Sequence, residues 1–184
     1  MTQNVTLIGF GAIGRTLFQR MAGVPGLRIT HIVVPPEHVA TAREHAGDAQ
    51  VVSAVPVDTD LVVECAGHQA LTEHVLPALA RGTECAVLSI GALSEPGLPE
   101  QLAEAAAQGG TQVHLLSGAI GGVDAIAAAR IAGLDSVTYT GRKPPTGWRG
   151  TPAEDVVNLD TISEPTVILE NTAREAARLY PKNA

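Results

Sequence analysis

The sequence predicts a doubly wound α/β fold built on a parallel β-sheet. From Val5 to Ser117, short apolar runs rich in Val, Ile and Leu alternate with Ala-rich amphipathic stretches. Runs that are apolar throughout are typical of strands buried on both faces of a parallel sheet. Six such strands with crossover helices between them indicate the doubly wound arrangement.

Glycine and proline mark where the predicted elements begin and end. Gly23, Gly47 and Gly82 each close a helix, and Pro99 lies in the first turn of another. Pro77 lies inside a predicted helix and is expected to kink or divide it. The predicted strands are 5–10, 27–34, 51–55, 61–66, 84–92 and 111–118, and the predicted helices between them are 12–23, 36–47, 68–82 and 98–110.

The pattern changes after Gly118, where the sequence predicts a domain boundary near 118–122. Beyond it we expect a helix over 121–134 and an alternating strand over 136–145. A polar connection follows, and then a short strand over 167–170 and a helix over 171–184. The chain is therefore predicted to consist of a domain over 1–118 and part of an α+β domain over 119–184.

Composition and charge exclude several classes of function. Hydrophobic residues make up 45% of the chain and charged residues 17%, which is typical of a globular protein. The net charge of −7 argues against a nucleic-acid-binding surface, which needs clustered Lys and Arg. No apolar run approaches the roughly 20 residues of a membrane helix, and the polar start MTQN shows no secretory signal. We therefore expect a cytoplasmic protein.

The cysteines and histidines predict neither a disulfide nor a metal site. Cys65 and Cys85 both fall in predicted strands and are expected to be buried free thiols. The six histidines are scattered. His31, His38 and His45 fall on a strand, a turn and a helix, and so share no ligand face.

Residues 9–14, GFGAIG, match the GxGxxG pattern of dinucleotide-binding (Rossmann) domains. The match gains weight because the motif follows a predicted strand and opens a predicted helix. Gly9 permits the tight turn, Gly11 lets the backbone approach a pyrophosphate, and Gly14 allows close packing of helix and strand. With Ala12 and Ile13, these glycines are predicted to bind the cofactor phosphates at the helix N-terminus.

The end of the second predicted strand lacks the acidic residue that NAD-selective sites usually carry. That residue binds the ribose hydroxyls and lies about 20 residues beyond the glycine motif, here near Val34. The first acidic residue of the chain is Glu37, and His38 and Arg43 follow it. Because no carboxylate would repel a 2′-phosphate, we expect both NAD and NADP to be accepted.

Small residues lie at the carboxyl ends of several predicted strands, which is the edge where α/β sheets bind ligands. Cys65, Ala66 and Gly67 are predicted to let the nicotinamide ring and its ribose lie against the backbone. His68 can donate to substrate or ribose, or can simply cap a helix, and the sequence leaves both open. The segments at this edge are 9–14, 65–68, 89–92 and 117–120.

The longer motifs of the chain resemble those of the L-aspartate dehydrogenase family. The resemblance covers nearly the whole chain, and its last three motifs are far more specific than the glycine loop. The motifs, in order, are GFGAIG, VVECAGHQA, HVLPALARG, SIGALSEPGL, SGAIGGVDAIAAAR, YTGRKPPTGWRGTPAED and TAREAARLYPKNA.

The resemblance implies a two-domain homodimer whose second domain binds substrate and forms the dimer. Such enzymes oxidise L-aspartate with NAD or NADP to iminosuccinate, which hydrolyses to oxaloacetate and ammonia or feeds pyridine nucleotide biosynthesis. By motif, Ala119 matches a contact on the nicotinamide side of the cofactor. His68, Ser117 and Lys182 are candidate substrate contacts, and Arg142 and Lys143 are further candidates for binding the dicarboxylate.

The resemblance also implies that the family's chain continues past YPKNA. That continuation carries an Asn-x-His motif whose histidine is the general acid/base. The family's catalytic histidine would therefore lie beyond Ala184, and no catalytic residue is assigned within 1–184. Two alternatives are kept open for this reason. The chain can be a nucleotide-binding module without turnover, or another two-domain dehydrogenase such as a homoserine dehydrogenase relative.

Overall fold

The computed structural model describes residues 2–118, 120–181 and 183. Six strands form one sheet in the order β3-β2-β1-β4-β5-β6, and every neighbouring pair is parallel. The chain therefore winds outward from β1 in one direction and then returns to wind in the other, which confirms the predicted doubly wound fold. The strands are β1 (Gln3–Ile8), β2 (Leu27–Val33), β3 (Gln50–Val52), β4 (Leu61–Glu64), β5 (Glu84–Val87) and β6 (Val113–Leu115).

The predicted crossover helices are present, and two of them are interrupted. A 3₁₀ turn (Pro36–His38) precedes α2, and a π-helical turn (Leu71–Val75) separates α3 from α4. Pro77 follows the π turn, so the predicted division of this helix is observed beside the proline. The helices are α1 (Ala12–Met21), α2 (Val39–Arg43), α3 (His68–Ala70), α4 (Leu76–Ala80), α5 (Leu98–Gly109), α6 (Val123–Ala132), α7 (Ala153–Val156) and α8 (Ala173–Leu179).

The core consists of two apolar layers, one on each face of the sheet. Successive side chains of a strand point to opposite faces. Val62 accordingly packs with Leu71 and Leu79 on the α3–α5 side, while Val63 packs with Ile32 on the α1–α2 side. Burial on both faces explains why β1 and β4 read as continuous apolar runs.

The strands predicted beyond residue 118 are wrong. Residues 136–145 and 167–170 form no strand, and no residue of the described part of the chain beyond 118 pairs in a sheet. Val137 and Tyr139 are 54% and 66% exposed, and Val167 is 74% exposed. Alternation indicates a strand only where a neighbouring strand supplies hydrogen bonds and covers one face, and nothing in the described residues does either.

Residues 143–148 nevertheless contact Tyr180 and Asn183 near the end of the chain. The rings of Trp148 and Tyr180 meet edge to face, with centroids 5.6 Å apart, and Tyr180 is buried. The Asn183 side-chain amide donates to the Gly147 carbonyl oxygen at 2.8 Å, and Lys143 Nζ donates to the Asn183 carbonyl oxygen at 2.7 Å. These contacts tie the end of α8 to the 3₁₀ turn Pro145–Trp148.

Candidate cofactor and substrate site

The glycine loop joins β1 to α1 at the carboxyl edge of the sheet. Gly9 has φ +90°, and its N–H donates to the Val33 carbonyl oxygen at 2.9 Å. A Cβ on Gly9 would lie 2.7 Å from Ala66 Cα, and a Cβ on Gly14 would press into the Gly9 carbonyl group. These two glycines are therefore required by the packing of the protein itself.

Gly11 is different, because a Cβ there would meet no atom of the described residues within 4 Å. It is exposed and is the N-cap of α1, with no side chain capping the helix. Ala12 and Ile13 at the start of the helix are exposed as well. The open space above unfilled backbone N–H groups at a helix start fits a pyrophosphate.

The segment after β4 lies against the glycine loop. The Cys65 N–H donates to the Ile8 carbonyl oxygen at 2.9 Å, and its Sγ lies 3.2 Å from the same oxygen. Ala66 touches Gly9 and is exposed, and Gly67 has φ +142°. The structure therefore brings residues 65–67 and 9–14 together, as the prediction of a shared cofactor site requires.

Both cysteines are free and their thiols are held neutral. Cys85 is buried in β5, as predicted, but Cys65 is only half-buried and lies just after β4 ends at Glu64. Burial raises the pKa of Cys65 to about 12, with a further contribution from the Glu64 carboxylate. Burial likewise raises the pKa of Cys85 to about 12. Since the thiolate is the nucleophile, neither side chain is suited to nucleophilic chemistry at neutral pH.

We expect both thiols to react with iodoacetamide at pH 8 on the order of 100-fold more slowly than free cysteine. A pKa raised well above pH 8 leaves almost no thiolate in the folded protein, and unfolding restores it. Intact mass after timed labelling, with and without urea, measures the two rates. Rapid labelling of the folded protein would contradict the assignment.

Glu64 at the end of β4 is a site residue that the sequence analysis missed. Its side chain is fully buried, and its carboxylate accepts four hydrogen bonds. Oε1 accepts from the Ala66 N–H at 2.7 Å, the Gly67 N–H at 2.8 Å and Ser89 Oγ at 2.8 Å. Oε2 accepts from the Ser89 N–H at 3.0 Å. The signal in the sequence was an acidic residue inside the apolar run LVVECA.

His68 and Ser117 lie at the ends of β4 and β6. His68 is the first residue of α3, and its Nε2 lies 2.9 Å from where a Cβ on Gly91 would stand, so the imidazole packs on the 3₁₀ turn Ile90–Ser94. Ser117 follows β6, the edge strand, which is separated from β4 by β5.

Three positions named in the sequence analysis lie outside the described residues. They are Ala119, predicted to contact the cofactor, Lys182, predicted to contact substrate, and Ala184, beyond which the family's catalytic histidine is expected. The expectations for these positions therefore remain predictions. The described residues include the glycine loop and residues 65–67, which are predicted to hold the cofactor.

The end of β2 carries no carboxylate in the described structure. Val34 is buried, and Glu37 is exposed within the 3₁₀ turn Pro36–His38. Two basic side chains, Arg15 and His45, instead line a surface cleft of about 260 Å³ beside Phe10 of the glycine loop. The electrostatics at this end of the sheet therefore do not oppose a 2′-phosphate.

The described residues offer neither a metal centre nor a membrane-spanning helix. Within residues 2–118, 120–181 and 183, no group of three or more His, Cys, Asp or Glu side chains is placed to hold a metal ion. In the same part of the chain, every helix is too short or too polar to cross a membrane.

Comparison with known proteins assigns the chain to a family. Residues 9–116 match the family described as homoserine dehydrogenase, NAD binding domain, and residues 124–184 match aspartate dehydrogenase, C-terminal. An L-aspartate dehydrogenase of Ralstonia pickettii is 53% identical over 98% of this chain and 70% of its own length. The chain belongs to the L-aspartate dehydrogenase family.

Other relatives named L-aspartate dehydrogenase support the same family. The enzyme of that name from Pseudomonas aeruginosa is 50% identical over 98% of this chain and 70% of its own length. The crystal structure of aspartate dehydrogenase from Thermotoga maritima superposes with a TM-score of 0.62 and covers 100% of this chain and 70% of that one. Its identity is 20%, so this likeness supports the fold.

Proposed function

We propose that the protein is an NAD(P)-dependent L-aspartate dehydrogenase, which oxidises L-aspartate to iminosuccinate. The observation that carries this proposal is the 53% identity over 98% of the chain to a relative of that name. The imine then hydrolyses to oxaloacetate and ammonia, or is drawn into pyridine nucleotide biosynthesis. The cytoplasm, where NAD(P) is available, is the compartment we propose.

The cofactor would be held by residues from two neighbouring loops. Gly11, Ala12 and Ile13 offer the open helix start to the pyrophosphate. Residues 65–67, of which Ala66 packs against Gly9, offer backbone to the ribose and nicotinamide. When bound, the nicotinamide supplies the acceptor for the hydride that leaves the aspartate Cα.

Binding and oxidation of L-aspartate require a hydrogen-bond or charge partner for each of its two carboxylates and an acceptor for the proton of its amine. His68 lies beside the 89–91 segment, close to the proposed nicotinamide half, and we propose it as a substrate or ribose contact. Ser117 and Lys182 are proposed on the family resemblance. Lys143 donates to the Asn183 carbonyl oxygen, which favours a structural role for it over substrate binding.

The proposed function is tested by mixing the protein with L-aspartate and either NAD⁺ or NADP⁺ and following the absorbance of the reduced nicotinamide. Turnover with L-aspartate but not L-homoserine supports the proposal. L-Homoserine turnover would instead identify a homoserine dehydrogenase relative. Cofactor binding without any turnover, in a preparation whose intact mass matches residues 1–184, would identify a nucleotide-binding module.

We expect Pro35→Asp to weaken NADPH binding roughly fivefold while leaving NADH binding unchanged or tighter. Pro35 is exposed directly after the buried Val34, so a carboxylate there faces the proposed ribose position without entering the core. Repulsion of a 2′-phosphate a few ångströms away costs about 1 kcal/mol in a solvated setting. Fluorescence titration measures both affinities. Pro35→Asn is the uncharged control, and equal loss in both variants would contradict the electrostatic explanation.

We also propose that the chain divides into a cofactor domain over 1–118 and a substrate and dimerisation domain over 119–184. The matches to two separate families, over 9–116 and 124–184, support this boundary.

A homodimer is proposed from the family resemblance. Exposed apolar side chains at Ile126, Ile131 and Tyr139 support it, because covering them removes apolar surface from water. Analytical ultracentrifugation over a range of protein concentrations tests this, and a monomer at every concentration would contradict it.

A further inference from the structure

Glu64 combines complete burial with a position between two loops of the proposed cofactor site. Its Cα is flanked by Ile8 of β1 and Val87 of β5, so the side chain starts from the centre of the sheet at the carboxyl edge. A buried carboxylate is costly unless its oxygens are hydrogen-bonded, and here both of them are. Well-packed apolar side chains at this position would avoid the cost of removing a carboxylate from water. This favours a role for Glu64 beyond stability.

The donors to this carboxylate come from two separate loops. One is the segment 65–67 after β4, through the Ala66 and Gly67 N–H groups. The other is the segment 89–91 after β5, through the Ser89 N–H and hydroxyl. A carboxylate only accepts hydrogen bonds, so these N–H groups point toward the Glu64 oxygens. The carbonyl oxygens of Cys65 and Ala66, on the same peptide planes, therefore point away from it.

We infer that Glu64 is a positioning residue for the nicotinamide half of the cofactor, an inference that rests on the proposed function. Its four hydrogen bonds hold segments 65–67 and 89–91 in one fixed relation, with the Cys65 and Ala66 carbonyl oxygens directed outward as acceptors for ribose hydroxyls. The same contact fixes the turn at Gly91 on which His68 packs. The phosphate half depends instead on Gly11 and the start of α1.

The test separates the two halves of the cofactor by titrating the full chain with NADH and with ADP, which lacks the nicotinamide half. Glu64→Gln places an amide donor against the N–H donors of the loops. It is expected to raise the Kd for NADH at least tenfold and to leave the Kd for ADP within about twofold. Ser89→Ala removes only the hydroxyl donor and is expected to raise the NADH Kd about threefold, with ADP again unchanged.

Thr59→Val is the matched control. It removes a buried hydrogen bond, the 2.7 Å contact between Thr6 Oγ1 and Thr59 Oγ1, away from both loops. We expect it to lower the thermal midpoint while leaving both Kd values unchanged. If Glu64→Gln does not fold, the ratio of NADH to ADP affinities in Ser89→Ala decides the question.

Two outcomes would overturn the inference while leaving the proposed function in place. One is an unchanged NADH Kd in the folded Glu64→Gln and Ser89→Ala variants. The other is an equal loss of NADH and ADP affinity, which indicates a purely structural residue. A wild-type chain that binds neither nucleotide and does not oxidise L-aspartate would instead overturn the proposed function, and the inference with it.

Discussion

Replacing Gly14 with alanine is expected to cost about 3 kcal/mol of the free energy of unfolding. The added Cβ would press into the Gly9 carbonyl group, 3.1 Å from its carbon, and would lie 3.3 Å from Cys65 Sγ. The crowded Gly9 atoms are backbone and cannot rotate aside, so α1 would have to move away from β1. Urea unfolding followed by circular dichroism measures the loss.

Gly11→Ala is the stability control for this prediction. Gly11 belongs to the same loop, but it has φ −73°, and an added Cβ would have no atom of residues 2–118, 120–181 or 183 within 4 Å, so alanine fits there. We expect its free energy of unfolding to fall by no more than about 1 kcal/mol, the cost of alanine at an N-cap. A Gly14→Ala protein as stable as Gly11→Ala would show that the close packing of α1 on β1 is not needed.

The same Gly11→Ala change is expected to raise the Kd for NADH and for ADP by about ten- to a hundredfold. The space that the protein leaves open above Gly11 is where the pyrophosphate would approach the backbone. A methyl group there holds the phosphates away from the N–H groups of the helix start. Titration of both nucleotides against the folded variant measures the effect.

Gly122→Ala provides a matched control for the affinity measurement. Gly122 is also an exposed N-cap glycine, with φ −98° and no atom of the described part of the chain within 4 Å of a Cβ, but it opens α6. We expect its Kd for ADP to equal that of the wild type. If both variants weaken ADP binding equally, the effect of Gly11→Ala does not arise from contact with the phosphates.

The first part of the fold could be predicted from sequence because its signals are local. Continuous apolar runs indicated the parallel strands, Gly9 marked the tight turn after β1, and Gly14 marked a close contact of α1 that leaves no room for a Cβ. The ends of strands were less predictable. β5 was expected to run to residue 92 but stops at Val87, since the Ser89 N–H bonds the Glu64 carboxylate 25 residues earlier in the chain. A contact of that kind leaves no trace in local periodicity.

The second part of the chain was harder to predict, because its structure also depends on contacts between residues distant in sequence. The alternation around Val137 and Tyr139 satisfies the local condition for a strand, but strand formation depends on a partner that local sequence does not specify. Glu64 was missed because an acidic residue within an apolar run was interpreted only as part of a strand. Its role became visible when the donors of Ala66, Gly67 and Ser89 were found around it.

The order of strands also governs when the site can form as the chain folds. β1 pairs on one edge with β2, which follows it closely, and on the other with β4, so that Val5 meets Leu61. Pairing over this distance in sequence is slow, because a long loop must close before any contact is gained. During synthesis the glycine loop is therefore made early but reaches its final shape late. Until Ala66 has been added and β4 has docked, Gly9 lacks the neighbour against which it packs.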